Sequence, residues 1–183
     1  FGFLLEEGAL QSDPTEGLQS PRVARPLPSV LDGDDVSALL EAPRLDSPVH
    51  WRDRAILEAL YSCGLRVSEL TSLNWNDIDA NLEVLRVTGK GQKERIVPFG
   101  NAAQKSLLKY LFHFRAEPAH GGIEGFFLTL EGQPLSNNAL QLVMKRLGEK
   151  SGIKRLHAHL LRHTFALNYL VNGGDLFTLQ QIL

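Results

Sequence analysis

Arg66 is the first residue of this sequence whose surroundings suggest chemistry. It follows a glycine that is expected to end a helix, in the stretch GLRVSEL at residues 64–70. An arginine in such apolar company is costly unless an anion meets it. Glu69, three residues on, could be a structural partner of Arg66, or it could orient the planar guanidinium towards a phosphate.

Lys90 lies between Gly89 and Gly91, at what is expected to be the tip of a β-hairpin. Lys93 and Arg95 follow within five residues, so the hairpin concentrates three cations. A lysine on a turn is usually just solvated, but three cations could reach along a phosphate backbone, and Lys93 and Arg95 are predicted to contact such phosphates. The string is no Walker A motif, because G-x-x-x-x-G-K-[ST] is absent.

His159 and Arg162 stand three residues apart in the string HLLRH at the start of a predicted helix and therefore share a face. His159 and His163 are four apart and could converge on a metal. Leu160 stands where a zinc metalloprotease helix needs glutamate, and no third ligand is near, so no metal is predicted. The plain alternative for this segment is a surface histidine and a structural arginine.

The combination favours phosphoryl transfer. Two arginines, a lysine and a histidine are the groups needed to stabilise a pentavalent phosphorus state and to protonate a leaving oxygen without a metal.

These side chains must be positioned by a mainly α fold with a small antiparallel β-sheet. Caps, prolines and glycines predict most of the helices, and runs rich in Val, Ile and Leu around GKGQ predict the hairpin. The expected helices are 1–10, 34–40, 48–63, 136–149, 159–172 and 175–183, and the expected strands are 82–88 and 95–99.

Composition and charge set the class of protein. The 183 residues are 43% hydrophobic, and no apolar run approaches the ~18 residues of a membrane span. One cysteine excludes a disulfide scaffold and suits a reducing cytoplasm. Residues 1–82 carry 14 acids and 6 bases, whereas residues 83–183 carry 7 acids and 13 bases. That asymmetry is typical of a face that meets an anion, although a mixed solvated surface also fits.

Three strings resemble the tyrosine recombinases, especially the bacterial Xer type and the related phage integrases. They are GLRVSELTSLNWNDID, VTGKGQKERIVPFG and HLLRHTFALNYLVNGGD, and they occur in the family's order. The resemblance implies the tyrosine recombinase catalytic-domain fold and site-specific DNA recombination. It also implies a double-stranded DNA site, self-association or a partner recombinase in a tetramer on DNA, and no cofactor.

The resemblance assigns a role to each candidate residue. Arg66 and Arg162 look like the two arginines that clamp the non-bridging oxygens of the scissile phosphate. Lys90 looks like the general acid for the 5′ leaving oxygen, and His159 like the histidine that takes up the nucleophile's proton. Glu69 matches the acidic residue that supports the first arginine.

The resemblance also divides the chain. Residues 1–19 are expected to be the end of an N-terminal core-binding domain, and 20–28, with three prolines in nine residues, an interdomain linker. Residues 29–183 are expected to be a catalytic domain that is incomplete at its C-terminus.

The tyrosine nucleophile is expected to be missing from this chain. None of the three tyrosines, Tyr61, Tyr110 and Tyr169, falls where the family has it, and cleavage would then be inactive in the chain as it stands. Two other hypotheses stay open. One is a catalytically inactive DNA-binding or regulatory module of the same fold, and the other is a type IB topoisomerase.

Overall fold

The elements of the fold are mainly helices around one small sheet. A computed structural model describes residues 1–18, 28–79, 81, 83–89, 91 and 93–183. Three antiparallel strands form the sheet in the order β1-β2-β3. The helices are α1 Gly2–Glu6, α2 Gly33–Glu41, α3 Pro48–Cys63, α4 Val67–Thr71, α5 Asn101–Lys109 with a π-helical turn Tyr110–Phe114, α6 Asn137–Ser151, α7 Ala158–Val171 and α8 Leu176–Ile182; a 3-10 turn Trp75–Asp77 precedes the strands β1 Ile78–Asp79, β2 Val84–Thr88 and β3 Glu94–Pro98. The predicted fold class is confirmed.

Helix α3 is the centre of the core. Ser47 caps it and Pro48 occupies its first turn, as the sequence predicts. The apolar side chains at 55–57, 59 and 60 are all fully buried, which is typical of a helix surrounded on every side. Helices α2, α4, α5 and α7 pack around it. Full burial of each Leu or Ile stabilises the fold by about 1.5–3 kcal/mol. This packing keeps α3 in a defined position within the core.

A charge cluster around the buried Asp53 links α6 to α3. Asp53 is fully buried and pairs with Arg146 of α6 and, at 3.3 Å, with Arg52. Arg52 Nη1 also donates to the Leu128 carbonyl at 3.1 Å. Charge-assisted bonds of this kind hold the two helices in one relative position.

The predicted hairpin is present. Strands β2 and β3 pair with Val87 opposite Arg95 and Thr88 opposite Glu94. The Gly89 N–H donates to the Lys93 carbonyl at 2.8 Å and closes the turn. Lys90 lies outside the described residues, as does nearly all of the expected linker.

The N-terminal segment differs from expectation. The helix predicted over 1–10 is confined to α1, because Gly8 adopts a left-handed φ of +70°. No residue of α1 is buried. Its assignment to a preceding domain stays a prediction, as do the linker and the catalytic-domain boundary. Within the described residues no helix is both long and apolar enough to cross a membrane.

Candidate active site

A glycine at the end of α3 sets the position of Arg66. Gly64 has a φ of +59°, and a β-carbon there would lie 2.6 Å from Phe165 Cδ1 of α7 and 2.9 Å from Leu183 Cδ2. Only glycine fits both that backbone and that close approach. The chain turns at this point, and Arg66 becomes the residue that precedes α4.

Glu69 holds Arg66 by both its backbone and its side chain. The Arg66 N–H donates to Glu69 Oε2 at 2.8 Å, and Arg66 Nη1 donates to Oε1 at 2.7 Å. The Glu69 side chain is 1% exposed, whereas that of Arg66 is 45% exposed. The buried carboxylate therefore holds an arginine whose outer side faces solvent, an arrangement that fits both the structural and the functional interpretation of the pair.

Burial alone would raise the pKa of the Glu69 carboxyl. Hydrogen bonds from Arg95 and from Arg66 outweigh that effect and lower the pKa to about 2. Glu69 is therefore ionised throughout the physiological range of pH.

Arg162 is buried in α7 and interacts electrostatically with Arg66. Its Nη1 donates to the Gly64 carbonyl at 2.5 Å and its Nη2 to the Leu183 carbonyl at 2.5 Å. Burial and, after it, the positive charge of Arg66 lower the pKa of Arg162 to about 10. Arg162 is still protonated at neutral pH, so both predicted arginines bring positive charge to the end of α3.

His159 and Arg66 line the same cavity. The cavity has a volume of about 680 Å³ and is lined by Arg66 and His159, with Asn137 and Gln141 from α6. The His159 and His163 rings are 6.5 Å apart, but within the described part of the chain no cluster of residues could hold a metal ion. The structure thus brings together the Arg66, Glu69, His159 and Arg162 that the sequence singled out.

The hairpin lines a second cavity next to the first. This cavity, of about 910 Å³, includes Arg66, Lys93 and Gly89, together with Gln180 and Gln181 of α8. Arg66 is common to both cavities, and Lys93 is exposed at the edge of the second. The predicted phosphate contact of Lys93 stays a prediction that this placement permits.

Arg95 has different partners from those expected. Instead of projecting from the hairpin, its guanidinium pairs with Glu69 and its side chain is only 16% exposed. The three nitrogens donate to protein acceptors, because this position of β3 lies on the core-facing side of the sheet. These bonds use three of the five N–H donors of Arg95, which also lines the second cavity, and its predicted phosphate contact stays a prediction.

His157 is a cavity residue that the sequence analysis did not single out. It lines the first cavity beside His159. Its Nδ1 lies 2.7 Å from the Arg155 carbonyl, which can only accept, so Nδ1 carries the hydrogen. The only sequence signal for His157 is its place two residues before His159.

The three tyrosines lie away from both cavities. Tyr110 is buried, and its hydroxyl accepts the Leu128 N–H at 3.1 Å. Tyr61 and Tyr169 line a separate cavity of about 540 Å³ between α3 and α7. Among the described residues, no tyrosine lines either of the two cavities that Arg66 lines.

Replacing Glu69 by glutamine should make the free energy of unfolding depend less on pH in the acid range. A carboxyl whose pKa is depressed in the folded state stabilises the fold above its unfolded pKa, and that contribution disappears as pH falls through 4.5 towards 2. A shift of this size corresponds to about 3 kcal/mol. Urea unfolding of the wild type between pH 6 and pH 2.5 should show this loss, and Glu69→Gln should lack most of it. The exposed Glu149 offers a matched control, since Glu149→Gln should retain the wild-type pH dependence; equal curves for all three proteins would contradict the prediction.

Comparison with known proteins agrees with this geometry. The model of the phage integrase family matches residues 29–183. The chain is 42% identical over 183 residues to the tyrosine recombinase XerD of Staphylococcus aureus (strain Mu50 / ATCC 700699), covering 99% of the chain and 62% of that protein. It is 40% identical over 187 residues to the tyrosine recombinase XerC of Roseiflexus sp. (strain RS-1), covering 100% of the chain and 60% of that protein. The chain thus spans about three fifths of the length of these relatives.

Solved structures share the fold. The crystal structure of XerA recombinase matches with a TM-score of 0.74 and 31% identity, over 86% of this chain and 56% of that one. A λ integrase dimer bound to a core site matches with a TM-score of 0.74 and 20% identity, over 100% of this chain and 66% of that one. The second likeness shows the fold alone. The chain is thus similar to the Xer tyrosine recombinases, and it belongs to the phage integrase family.

Proposed function

We propose that this chain carries the phosphate-activating centre of a site-specific DNA recombinase. The observation that supports the proposal most is the charge around Glu69. Three guanidiniums, of Arg66, Arg95 and Arg162, act on one another and on that single carboxylate. The cluster therefore has an excess of two positive charges, beside the cavities that Arg66 lines, and a phosphodiester would offset this excess.

Arg66 and Arg162 have separate parts in the proposed reaction. Arg66 uses one guanidinium nitrogen for Glu69, and within the described ranges no bond is found for its Nε and Nη2. Those donors would bind a non-bridging oxygen of the scissile phosphate. Arg162 adds a second positive charge, and together the two stabilise the charge that develops on the phosphoryl oxygens.

The chemistry proposed for the whole protein needs no cofactor. A tyrosine oxygen bonds to phosphorus while the bond to the 5′ oxygen breaks, giving a 3′-phosphotyrosyl intermediate. His159 takes up the tyrosine proton, and Lys90 gives a proton to the departing 5′ oxygen. A 5′-hydroxyl of a second strand then attacks the intermediate, which frees the tyrosine and rejoins the DNA.

Duplex DNA is the proposed substrate, and Lys93 a contact to its backbone. Among the structural relatives, XerH is bound to a difH substrate and the λ integrase to a core site. We propose by analogy that the whole protein acts in the cytoplasm, as a tetramer of its own copies or with a partner recombinase.

The chain should bind duplex DNA with an affinity that falls steeply as salt rises, because each phosphate neutralised releases counterions. Fluorescence anisotropy between 50 and 200 mM salt gives the slope of log K against log salt. Lys93→Ala should reduce that slope by about 0.9, the value for one contact. Lys105→Ala changes an exposed lysine of α5 outside both site cavities and is the matched control. Binding that ignores salt, or no binding at 50 mM, would argue against the proposal.

Binding alone does not separate a recombinase from an inactive module of the same fold. Strand cleavage by a full-length protein that contains this chain separates them. An inactive module would bind DNA with the same salt dependence and leave both strands intact.

A further inference from the structure

Arg95 is the residue whose structural position departs most from a simple DNA contact. Its Nη1 and Nη2 donate to Glu69 Oε1 and Oε2 at 2.8 and 2.9 Å, a two-pronged pairing. Its Nε donates to the Ile182 carbonyl at 2.6 Å. One side chain therefore connects β3, α4 and the C-terminal end of α8.

With this pairing, every hydrogen-bond acceptor position of the Glu69 carboxylate is occupied. Oε1 accepts from Arg66 Nη1 and Arg95 Nη1, while Oε2 accepts from the Arg66 N–H and Arg95 Nη2. A carboxylate has about four acceptor positions, and all are used. Rotation of the carboxylate would break bonds to both arginines at once. The bonds from Arg95 therefore fix the orientation of the carboxylate to which Arg66 is bound.

The hairpin approaches the same cluster through its backbone. A β-carbon at Gly89 would lie 3.6 Å from Arg95 Nη1 and 3.6 Å from Glu69 Oε1. Gly89 is also the residue at which the turn closes, through its bond to the Lys93 carbonyl. The chain thus enters the hairpin tip directly against the Arg95–Glu69 pair.

We propose that Arg95 is a positioning residue, which fixes the Glu69 carboxylate, and through it Arg66, relative to the hairpin and to α8. The proposal rests on the phosphate-binding role proposed for Arg66. A lysine at this position would keep the charge but lose the planar fork, and so could not bind both carboxylate oxygens and the Ile182 carbonyl together.

The first test does not depend on DNA. The charged groups that face Glu69 are Arg66, which precedes α4, Arg95 from β3 and Arg162 from α7. Carbon-13 NMR titration of the Glu69 carboxyl should give a pKa that rises by at least one unit in Arg95→Met, because both hydrogen bonds and the positive charge of Arg95 are lost. Arg86→Met, at an exposed position of the neighbouring strand β2, is the matched control and should leave the pKa unchanged. An unchanged pKa in Arg95→Met would overturn the proposal, whatever the chain does with DNA.

The second test separates positioning from contact. If Arg95 positions Arg66, Arg95→Met and Arg95→Lys should both keep the wild-type salt slope of DNA binding. Both should also slow cleavage at saturating DNA by at least tenfold in a full-length protein that contains this chain. If Arg95 instead binds a phosphate, Arg95→Met should reduce the slope by about 0.9 and Arg95→Lys should restore it. That result would overturn the proposal.

A third comparison keeps the two proposals apart. Arg95→Lys retains a positive charge beside Glu69, so it serves if Arg95→Met does not fold. It should give a smaller rise in the pKa of Glu69 but the same loss of cleavage, and full activity of a folded Arg95→Lys would contradict the positioning role. If the wild-type chain fails to bind DNA, the proposed function fails, while the NMR titration still decides whether Arg95 holds Glu69.

Discussion

Alanine in place of Lys90 should slow strand cleavage by about 10²- to 10⁴-fold in a full-length protein that contains this chain, the usual contribution of a general acid. DNA affinity should stay nearly the same. The reason is a division of labour between the cations. Arg66 and Arg162 are proposed to stabilise charge on the phosphoryl oxygens, whereas Lys90 is proposed to release a proton to the departing 5′ oxygen.

A sulfur atom in place of the scissile 5′ oxygen provides the decisive substrate, because a thiolate leaves without protonation. This substrate should return much of the lost rate to Lys90→Ala and little to Arg66→Ala. Lys93→Ala changes another lysine of the same hairpin and is the matched control. It should weaken DNA binding, and the sulfur substrate should not raise its cleavage rate relative to the wild type. If sulfur rescues neither Lys90→Ala nor Arg66→Ala, or both equally, Lys90 acts only through its charge.

Local signals in the sequence predicted most of the fold. Ser47 and Pro48 placed the start of the central helix, and the left-handed Gly64 its end. The valines of β2 and β3 flanking a glycine-rich turn placed the hairpin. These features depend on neighbours within a few residues, which is why the sequence displays them. The helix predicted over 1–10 is longer than α1, because the prediction did not treat Gly8 as the end of the helix.

The candidate site was predictable as a set of residues but not as a set of contacts. Glu69 was paired with Arg66 because the two are three residues apart. Its bond to Arg95 joins residues 26 apart, and the bond from Arg162 to Gly64 joins residues 98 apart. Strand alternation does carry a signal for Arg95, since it shares a face with the buried Val97. A cation on the core-facing side of a strand needs a buried partner, and that partner is Glu69.

Arg66→Ala is the second change with a large expected effect. Loss of one group that stabilises developing charge costs about 10²- to 10³-fold in rate, so cleavage should fall by that factor in a full-length protein. Arg66 suits this test better than Arg162. The Arg162 guanidinium also holds the carbonyls of Gly64 and Leu183, so its removal would disturb the end of α3 as well as the chemistry. Arg66 is half-exposed, and the fold does not depend on its outer donors.

A neutral substrate tests whether Arg66 acts through charge. A methyl group in place of one non-bridging oxygen removes the negative charge that Arg66 would offset, so on this methylphosphonate Arg66→Ala should cleave within about tenfold of the wild type. Arg66→Lys keeps a cation without the fork, and it should be intermediate on the natural phosphate. Lys90→Ala should gain nothing from the methyl group, because its leaving oxygen still needs a proton. If Arg66→Ala stays 10²- to 10³-fold slower than the wild type on the methylphosphonate, then Arg66 shapes the site through its bonds to Glu69, and the clamp on the phosphate must be assigned elsewhere.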